Sequence, residues 1–160
     1  MSSIQQIEAF LPVSFTITTS GQPTPEQFAD IASAGYSRVI NLATSASSNW
    51  NSNESAISEA QREYAIVEGL RMEYVGIPID WDNPTLSDFD NLADLLDENP
   101  ERKTWVHCAK NMRVSAMMYL YHRLRKGYTE EASRRYLEQI WQPNQIWQNF
   151  IDATIELYGD

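Results

Sequence analysis

The sequence has a single cysteine, Cys108, and only two histidines, His107 and His122. One thiol excludes an internal disulfide and any centre built from several thiolates. Two histidines are too few for an obvious zinc cluster, so neither a metal nor an organic cofactor is expected. Basic residues are scarce as well. Twelve Lys and Arg stand against 22 Asp and Glu, leaving a net charge of −10. Nucleic acid and anionic membrane surfaces both call for a basic face, so neither is expected as a partner. The one basic group, Arg123, Arg125 and Lys126, falls in the last turn of a helical segment, where it complements the helix dipole as a solvated face. No apolar run approaches the ~20 residues that span a bilayer. The opening MSSIQQIEAFLPVS has neither a basic start nor an apolar core, so it does not read as an intact signal peptide. A soluble protein is expected, cytoplasmic, or periplasmic if a leader has been removed.

What is present suits one domain over residues 1–160: 42% hydrophobic and 11% aromatic residues are ample for one packed interior. Four segments rich in β-branched and aromatic residues read as strands: FTITT (15–19), SRVINL (37–42), MEYVGI (72–77) and KTWVH (103–107). Helical patterns lie between and after them. In 24–35, Thr24 caps, Pro25 takes the first helical position, Gln27 completes a capping box and Gly35 stops the helix. A more polar helix is expected over 54–68. Another opens at Thr85, with Leu86, Phe89, Leu92, Ala93 and Leu96 on one face. Three more cover 114–127, Thr129 to about Trp141, and 144–158. The polar ATSASSNWNSNES (43–55) reads as a loop, either the rim of a site or a solvated connector. Strand and helix alternate before helices finish the chain. The expected architecture is an α/β three-layer sandwich with a mainly parallel central sheet of four to five strands.

The stretch WVHCAKNMRVS (105–115) carries the chemistry. A strand runs to its carboxyl end at Cys108, AKNM turns the chain, and a helix begins near Arg113. Such a turn aims several main-chain N–H groups into one concavity, and the helix dipole adds partial positive charge. An anion is held there, and so is a thiolate. A free cysteine is only a few per cent thiolate at neutral pH, and helix amides with a nearby guanidinium favour the ionised form. Arg113 offers a planar fork for two oxygens of a phosphate or sulfate. His107 is placed to fix Cys108 by a hydrogen bond, Ser115 to donate to the sulfur, and Lys110 to steer an anion from the rim. The plain alternative is a buried, inert thiol. Elsewhere, Trp105 and Trp147 fit the core, as do Met112, Met117 and Met118. Trp81, between two aspartates, is placed to stack on a substrate ring.

This stretch resembles the signature loop of the cysteine-dependent protein tyrosine and dual-specificity phosphatases: His-Cys, five residues, Arg, then Ser or Thr. The chain is also similar to a bacterial branch of that superfamily, the beta-lactamase-hydrolase-like phosphatase domain, a former domain of unknown function. The likeness rests on TTSGQPTPEQFADIASAGYSRVINLA (18–43), on EYVGIPIDWDNPTLSDFDNLADLL (73–96) and on the loop itself. Residues 14–127 resemble the family core, and 128–160 are C-terminal helices. The resemblance implies a phosphatase-like fold and hydrolysis of a phosphomonoester through a phosphocysteine. In it Cys108 is the nucleophile, Arg113 the phosphate-binding arginine, and Asp80 or Asp82, in PIDWDNP, the general acid. Asp82 is preferred for the Asn83-Pro84 that follows it. A bound phosphate or sulfate is expected over Ala109, Lys110, Asn111, Met112 and Arg113.

The pattern departs from the superfamily at four points. Only four residues separate Cys108 from Arg113. Val114 stands between Arg113 and Ser115. The loop has no glycine, Asn111 being its most tolerant residue for left-handed backbone. Ala43 stands where the bacterial family often carries arginine. The short loop also resembles that of rhodanese-type sulfurtransferases, which cradles a persulfide on cysteine. Sulfur transfer and non-catalytic binding of a phosphorylated ligand are therefore the alternative functions.

Overall fold

The computed structural model describes residues 3–43 and 53–158, with the side chains of 53–60 left aside. Most of the polar stretch 43–55 thus lies outside the described residues. Five strands form one sheet: β1 (Leu11–Pro12), β2 (Ile17–Ser20), β3 (Arg38–Asn41), β4 (Glu73–Gly76) and β5 (Thr104–His107), in the order β1-β2-β5-β3-β4. The last four run parallel, and β1 adds antiparallel to β2 through Leu11↔Thr19. The strand β1 is the one that sequence patterning passed over. It is only two residues long, and its Pro12 has no N–H to offer a further strand, which suits a sheet edge.

The helices are α1 (Pro25–Ser33), α2 (Asn53–Gly69), α3 (Leu86–Glu98), α4 (Met112–Leu124), α5 (Glu130–Ile140) and α6 (Gln145–Tyr158). Both Thr24 and Thr85 form capping boxes, the first with Gln27 and the second with Asp88. Thr129 caps α5 through the Ala132 amide. Several boundaries differ from expectation by a residue or more. The helix expected over 54–68 is α2 from Asn53, so the end of the expected loop 43–55 is helical, the first parallel strand starts at Ile17 and not at Phe15, and α4 starts two residues early and ends at Leu124. The group Arg123, Arg125 and Lys126 therefore straddles the helix end, and Arg125 pairs with Asp97 and Asp94 of α3.

Period-two alternation along the strands sorts the core into two layers. Val39 and Trp105 face one side, where Phe28 and Ile31 of α1 and Val67 of α2 cover them. Ile40, Val106 and Cys108 face the other, under α3, α4 and the C-terminal helices. The sheet is thus the middle of a three-layer α/β sandwich. Trp105 and Trp147 are fully buried, as are Met117 and Met118, whereas Met112 is half-buried at the helix start. Among the described residues no helix is long and apolar enough to cross a membrane.

Candidate active site

The carboxyl ends of the parallel strands are knitted together beyond the sheet proper. Leu42 N–H donates to the His107 carbonyl at 2.8 Å, and Ile79 N–H donates to the Leu42 carbonyl at 3.0 Å. The chain after β4 is thereby brought alongside the chain after β5, with one strand between them. Open parallel sheets gather ligands at this edge.

Cys108 lies at the floor of that edge, 1% exposed. The alternation that turns Cys108 toward α4 turns His107 to the opposite layer. The loop that follows is pinned against β2. Gln22 N–H donates to the Ala109 carbonyl at 3.0 Å, and Gly21 and Lys110 form an isolated bridge. A side chain at position 21 would place its Cβ 2.7 Å from the Ala109 oxygen, so glycine permits this approach. Asn111 then takes the left-handed conformation, with φ 65° and ψ 5°. Its amide donates to the Ala9 carbonyl and to Thr19 Oγ1, each at 2.9 Å. Asn111 thus makes the left-handed turn of this glycine-free loop.

The consequence is a set of main-chain donors left open. The N–H groups of Ala109, Lys110, Met112 and Val114 have no protein acceptor among the described residues. They belong to the first turn of α4 and to the loop that leads into it, where the helix dipole is positive. Lys110 is exposed at the rim.

Arg113 is 3% exposed. Its Nη1 donates to the Ile79 carbonyl at 3.0 Å, and its guanidinium lies 5.9 Å from the centre of the Trp81 ring. The side chain therefore points along the edge of the sheet toward the Asp80–Asp82 turn. Within that turn the aspartates differ. Asp80 Oδ1 accepts from the Asp82 N–H at 2.9 Å and so closes the turn. The Asp82 carboxylate is exposed and has no hydrogen-bond partner among the described residues.

Ser115 makes a different bond from the one expected. Its hydroxyl donates to the Met112 carbonyl at 3.0 Å and accepts from Trp141 Nε1 at 3.1 Å, so its one proton is turned away from the sulfur. Trp81 likewise packs against protein. Its ring centre is 5.4 Å from that of Trp141 and 6.1 Å from that of Trp147, and Trp147 Nε1 donates to the Trp81 carbonyl at 2.8 Å. The C-terminal helices α5 and α6 thus brace the aspartate turn.

One residue escaped the sequence reading. Glu63 of α2 is 5% exposed and lies under the strand ends. His107 Nε2 is 2.6 Å from Glu63 Oε2, Gln22 Nε2 donates to Oε1 at 2.8 Å, and Asn41 Nδ2 donates to Oε2 at 3.3 Å. Burial alone pushes this carboxyl up. The charge of His107 and hydrogen bonds from His107, Gln22 and Tyr74 together outweigh it and hold the carboxyl below its ordinary value. The signal was present: Glu63 sits three, four and seven residues before Ile66, Val67 and Leu70, on the apolar stripe of α2.

The family model described as DSP-PTPase phosphatase fused to NAD+ kinase matches residues 5–149. Among solved structures, a candidate phosphatase of the DUF442 group from Shewanella putrefaciens CN-32 is 28% identical with a TM-score of 0.80, covering 98% of this chain and 97% of that one. The core catalytic domain of the PP-IP phosphatase SIW14 from S. cerevisiae, in complex with citrate, is 13% identical with a TM-score of 0.69, covering 92% and 86%. TpbA of P. aeruginosa in complex with pTyr is 10% identical with a TM-score of 0.69, covering 100% and 94%. The last two share the fold. No curated protein matches the sequence.

Proposed function

Since the chain belongs to the family of DSP-PTPase phosphatases fused to NAD+ kinase, we propose that it hydrolyses a phosphomonoester through a phosphocysteine on Cys108. The observation that carries this reading is the open set of N–H donors from Ala109 to Val114, beside a thiol at the start of a helix. Four open amides at the start of a helix, with an arginine in its first turn, favour a tetrahedral dianion there. In the first step Cys108 Sγ attacks phosphorus, the bond to the leaving oxygen breaks, and the Asp82 carboxyl protonates that oxygen. In the second, water attacks phosphorus, the S–P bond breaks, and Asp82 takes the proton of the water. Asp82 is favoured over Asp80 because its carboxylate is not committed to closing the turn. Arg113 neutralises the transferred group and, through Ile79, keeps the acid turn in register with the loop. Residues 14–127 form the catalytic core in this reading, and the helices of 128–160 hold Trp81 and hence the turn.

The test is release of phosphate from p-nitrophenyl phosphate and from an alkyl phosphate, run beside sulfur transfer from thiosulfate to cyanide. Cys108→Ser abolishes phosphate release. Asp82→Asn slows the alkyl phosphate by about 10²-fold or more, the usual worth of a general acid, and slows the aryl phosphate less. Wild-type release retained in Cys108→Ser overturns the proposal, as does Cys108-dependent thiocyanate without any phosphate release.

A further inference from the structure

Ile17, Arg38 and Thr104 open β2, β3 and β5, at the end of the sheet away from Cys108, and together they line a cavity of about 40 Å³. At about 10–15 Å³ for one water, that is room for about three waters or one tetrahedral oxyanion. Acids outnumber bases in the chain, 22 to 12, yet Arg38, Arg102 and Lys126 line this cavity and no carboxylate does. Arg38 is 2% exposed. Its Nε and Nη2 donate to Thr104 Oγ1 at 3.1 and 3.0 Å, and Nη1 reaches the Leu95 carbonyl only at 3.5 Å. A guanidinium has five N–H groups, so donors remain. Buried charges are ordinarily paired, but among the described residues no carboxylate lies within ion-pair distance of Arg38. Burial first and the like charge of Arg102 second hold its guanidinium below the ordinary arginine value, and the charges of Glu73 and Glu98 only partly offset them. A second buried group on the same cavity lacks a partner. His122 of α4 has Tyr128 stacked on its ring at 4.7 Å, and its Nδ1 has no hydrogen-bond partner among the described residues.

We propose that this cavity is a second anion site, built for one phosphate-type oxyanion, with Arg38 as its buried anchor, Arg102 and Lys126 as further cations, and Ser14 and His122 as neutral donors. The inference goes beyond the phosphatase reading and does not depend on it. Thr104 orients the anchor: its own proton goes to the Arg102 carbonyl at 2.9 Å, so its oxygen is left to accept from Arg38. The N–H groups that Thr104 does not take suit paired oxygens, which a tetrahedral oxyanion offers and chloride does not. Ser14 Oγ accepts from the Ile17 N–H at 3.1 Å and keeps its own proton to give. Lys126 is exposed, 5.8 Å from the centre of the Tyr121 ring, and has no ion pair among the described residues. Neighbouring carboxylates are committed to other cations, Glu73 to Arg102 and Asp97 to Arg125. An anion here also supplies a charge partner to a guanidinium that otherwise has none. The site shares elements with the cysteine loop but no residue. Thr104 begins the strand that leads into Cys108, and His122 lies in the last turn of the helix whose first turn carries Arg113.

Titration of the nitrogen-15-labelled protein with inorganic phosphate, at an ionic strength held constant with sodium chloride, reads the two sites apart by NMR. Amides of Thr104, Lys126, Gly127 and Tyr128 report this cavity, and those of Ala109, Lys110, Met112 and Val114 report the cysteine loop. The cavity amides shift and saturate in wild type. Lys126→Gln weakens their titration about tenfold, the worth of one charge-assisted contact, and leaves that of the loop amides in place. Arg38→Met removes the cavity titration altogether. Should Arg38→Met fail to fold, Lys126→Gln at its exposed position decides alone. Arg135→Gln, exposed on α5 and outside both sites, controls for net charge and changes neither titration. Phenylphosphonate is the second probe: shifts of the cavity amides with it assign the site to a phosphoryl group on a larger molecule, and shifts with phosphate alone assign it to the free ion. Cavity amides that never saturate with phosphate overturn the inference. So does a cavity titration unchanged in Lys126→Gln, or one weakened equally by Arg135→Gln. Loop amides that stay still while the cavity amides titrate count against the phosphatase reading and leave the second site standing, so the two failures are distinct.

Discussion

Replacing Gly21 by alanine plants a methyl carbon 2.7 Å from the Ala109 carbonyl oxygen, 3.2 Å from Lys110 Cα and 3.4 Å from the Ala109 carbonyl carbon. Every one of these neighbours is main chain, so no flexible side chain can swing aside. Gly21 itself is held by its N–H on the Glu8 carbonyl at 2.7 Å, and the next residue by Gln22 N–H on Ala109. Relief requires the strand end and the loop to part by roughly half an ångström, given an ordinary carbon–oxygen contact near 3.3–3.5 Å. Overpacking of this kind costs about 1–3 kcal/mol. At roughly 2–4 °C per kcal/mol for a chain of this size, Tm falls by about 2–12 °C. The loop is the partner that moves, because β2 is paired along its length on both sides while the loop is held by the Gln22 N–H and by the Asn111 amide on Ala9 and Thr19. A displacement under 1 Å in groups that must meet a transition state costs up to ~10²-fold in rate. The expected result is thus a modest loss of Tm with a larger loss of kcat/KM for p-nitrophenyl phosphate. Gly69→Ala and Gly76→Ala serve as controls, since an added Cβ meets nothing within 4 Å at either position. Unchanged Tm and unchanged kcat/KM in Gly21→Ala would refute the reasoning, and equal losses in the three variants would show that the contact with Ala109 is not the cause.

Two further perturbations follow from the same geometry. His122 is held neutral, its imidazole pushed down to about 4 by burial and then by the charge of Lys126. Its stabilisation is therefore complete above the ordinary value of 6.5 and is lost as pH falls from 6.5 toward 4, a span of up to ~3 kcal/mol at 1.36 per unit. His122→Phe, which can keep the stacking on Tyr128 and forfeits no bond at the unpartnered Nδ1, should show a flatter stability curve between pH 7 and 4.5 in urea melts, and a slope equal to wild type would count against it. Trp147→Phe removes the N–H that holds the Trp81 carbonyl, at a cost of about 1–3 kcal/mol for the acceptor left behind. Because the aspartate turn is loosened and the Cys108 loop is not, kcat for an alkyl phosphate falls while iodoacetamide alkylation of Cys108 stays as in wild type.

What could be read from the sequence was local, and what could not depended on meetings across the chain. Thr24 with Gln27 announces α1 because both partners of the capping box lie within one turn. The four parallel strands are legible for a similar reason: buried parallel strands are short apolar runs. The strand β1 carries no such signal, for Leu11 and Pro12 become a strand only when Thr19 comes opposite. Glu63 shows the same limit from the other side. Its place on the apolar stripe of α2 is written in the spacing, yet a lone carboxylate there reads as a polar helix until His107, 44 residues later, is brought to 2.6 Å. Between Asp80 and Asp82 the sequence prefers Asp82 only for the Asn83-Pro84 that follows it, and the contact that tells the two carboxylates apart is not written in the spacing. Both occupy one turn, and a single bond from the Asp82 N–H to Asp80 Oδ1 separates the committed carboxylate from the open one.

The missing loop residue posed the sharpest question, since one helical step turns a side chain by ~100° and could have swung Arg113 off the anion. The contraction is absorbed in two places. Asn111 adopts the left-handed backbone at less cost than most residues would pay there, and its amide ties that turn to Ala9 and to Thr19 of β2. The helix then starts at Met112, so that Arg113 is already in its first turn and leaves toward Ile79. In that position the guanidinium links the cysteine loop to the chain that leads into the Asp80–Asp82 turn. The position of Arg113 is thus tied to the Asp80–Asp82 turn, and the turn to Trp81 against Trp141 and Trp147. The C-terminal helices, the least distinctive part of the sequence, thereby become part of what fixes Arg113, and substitutions at Trp141 and Trp147 should be felt at the proposed anion site even though neither carries a group that the proposed chemistry requires.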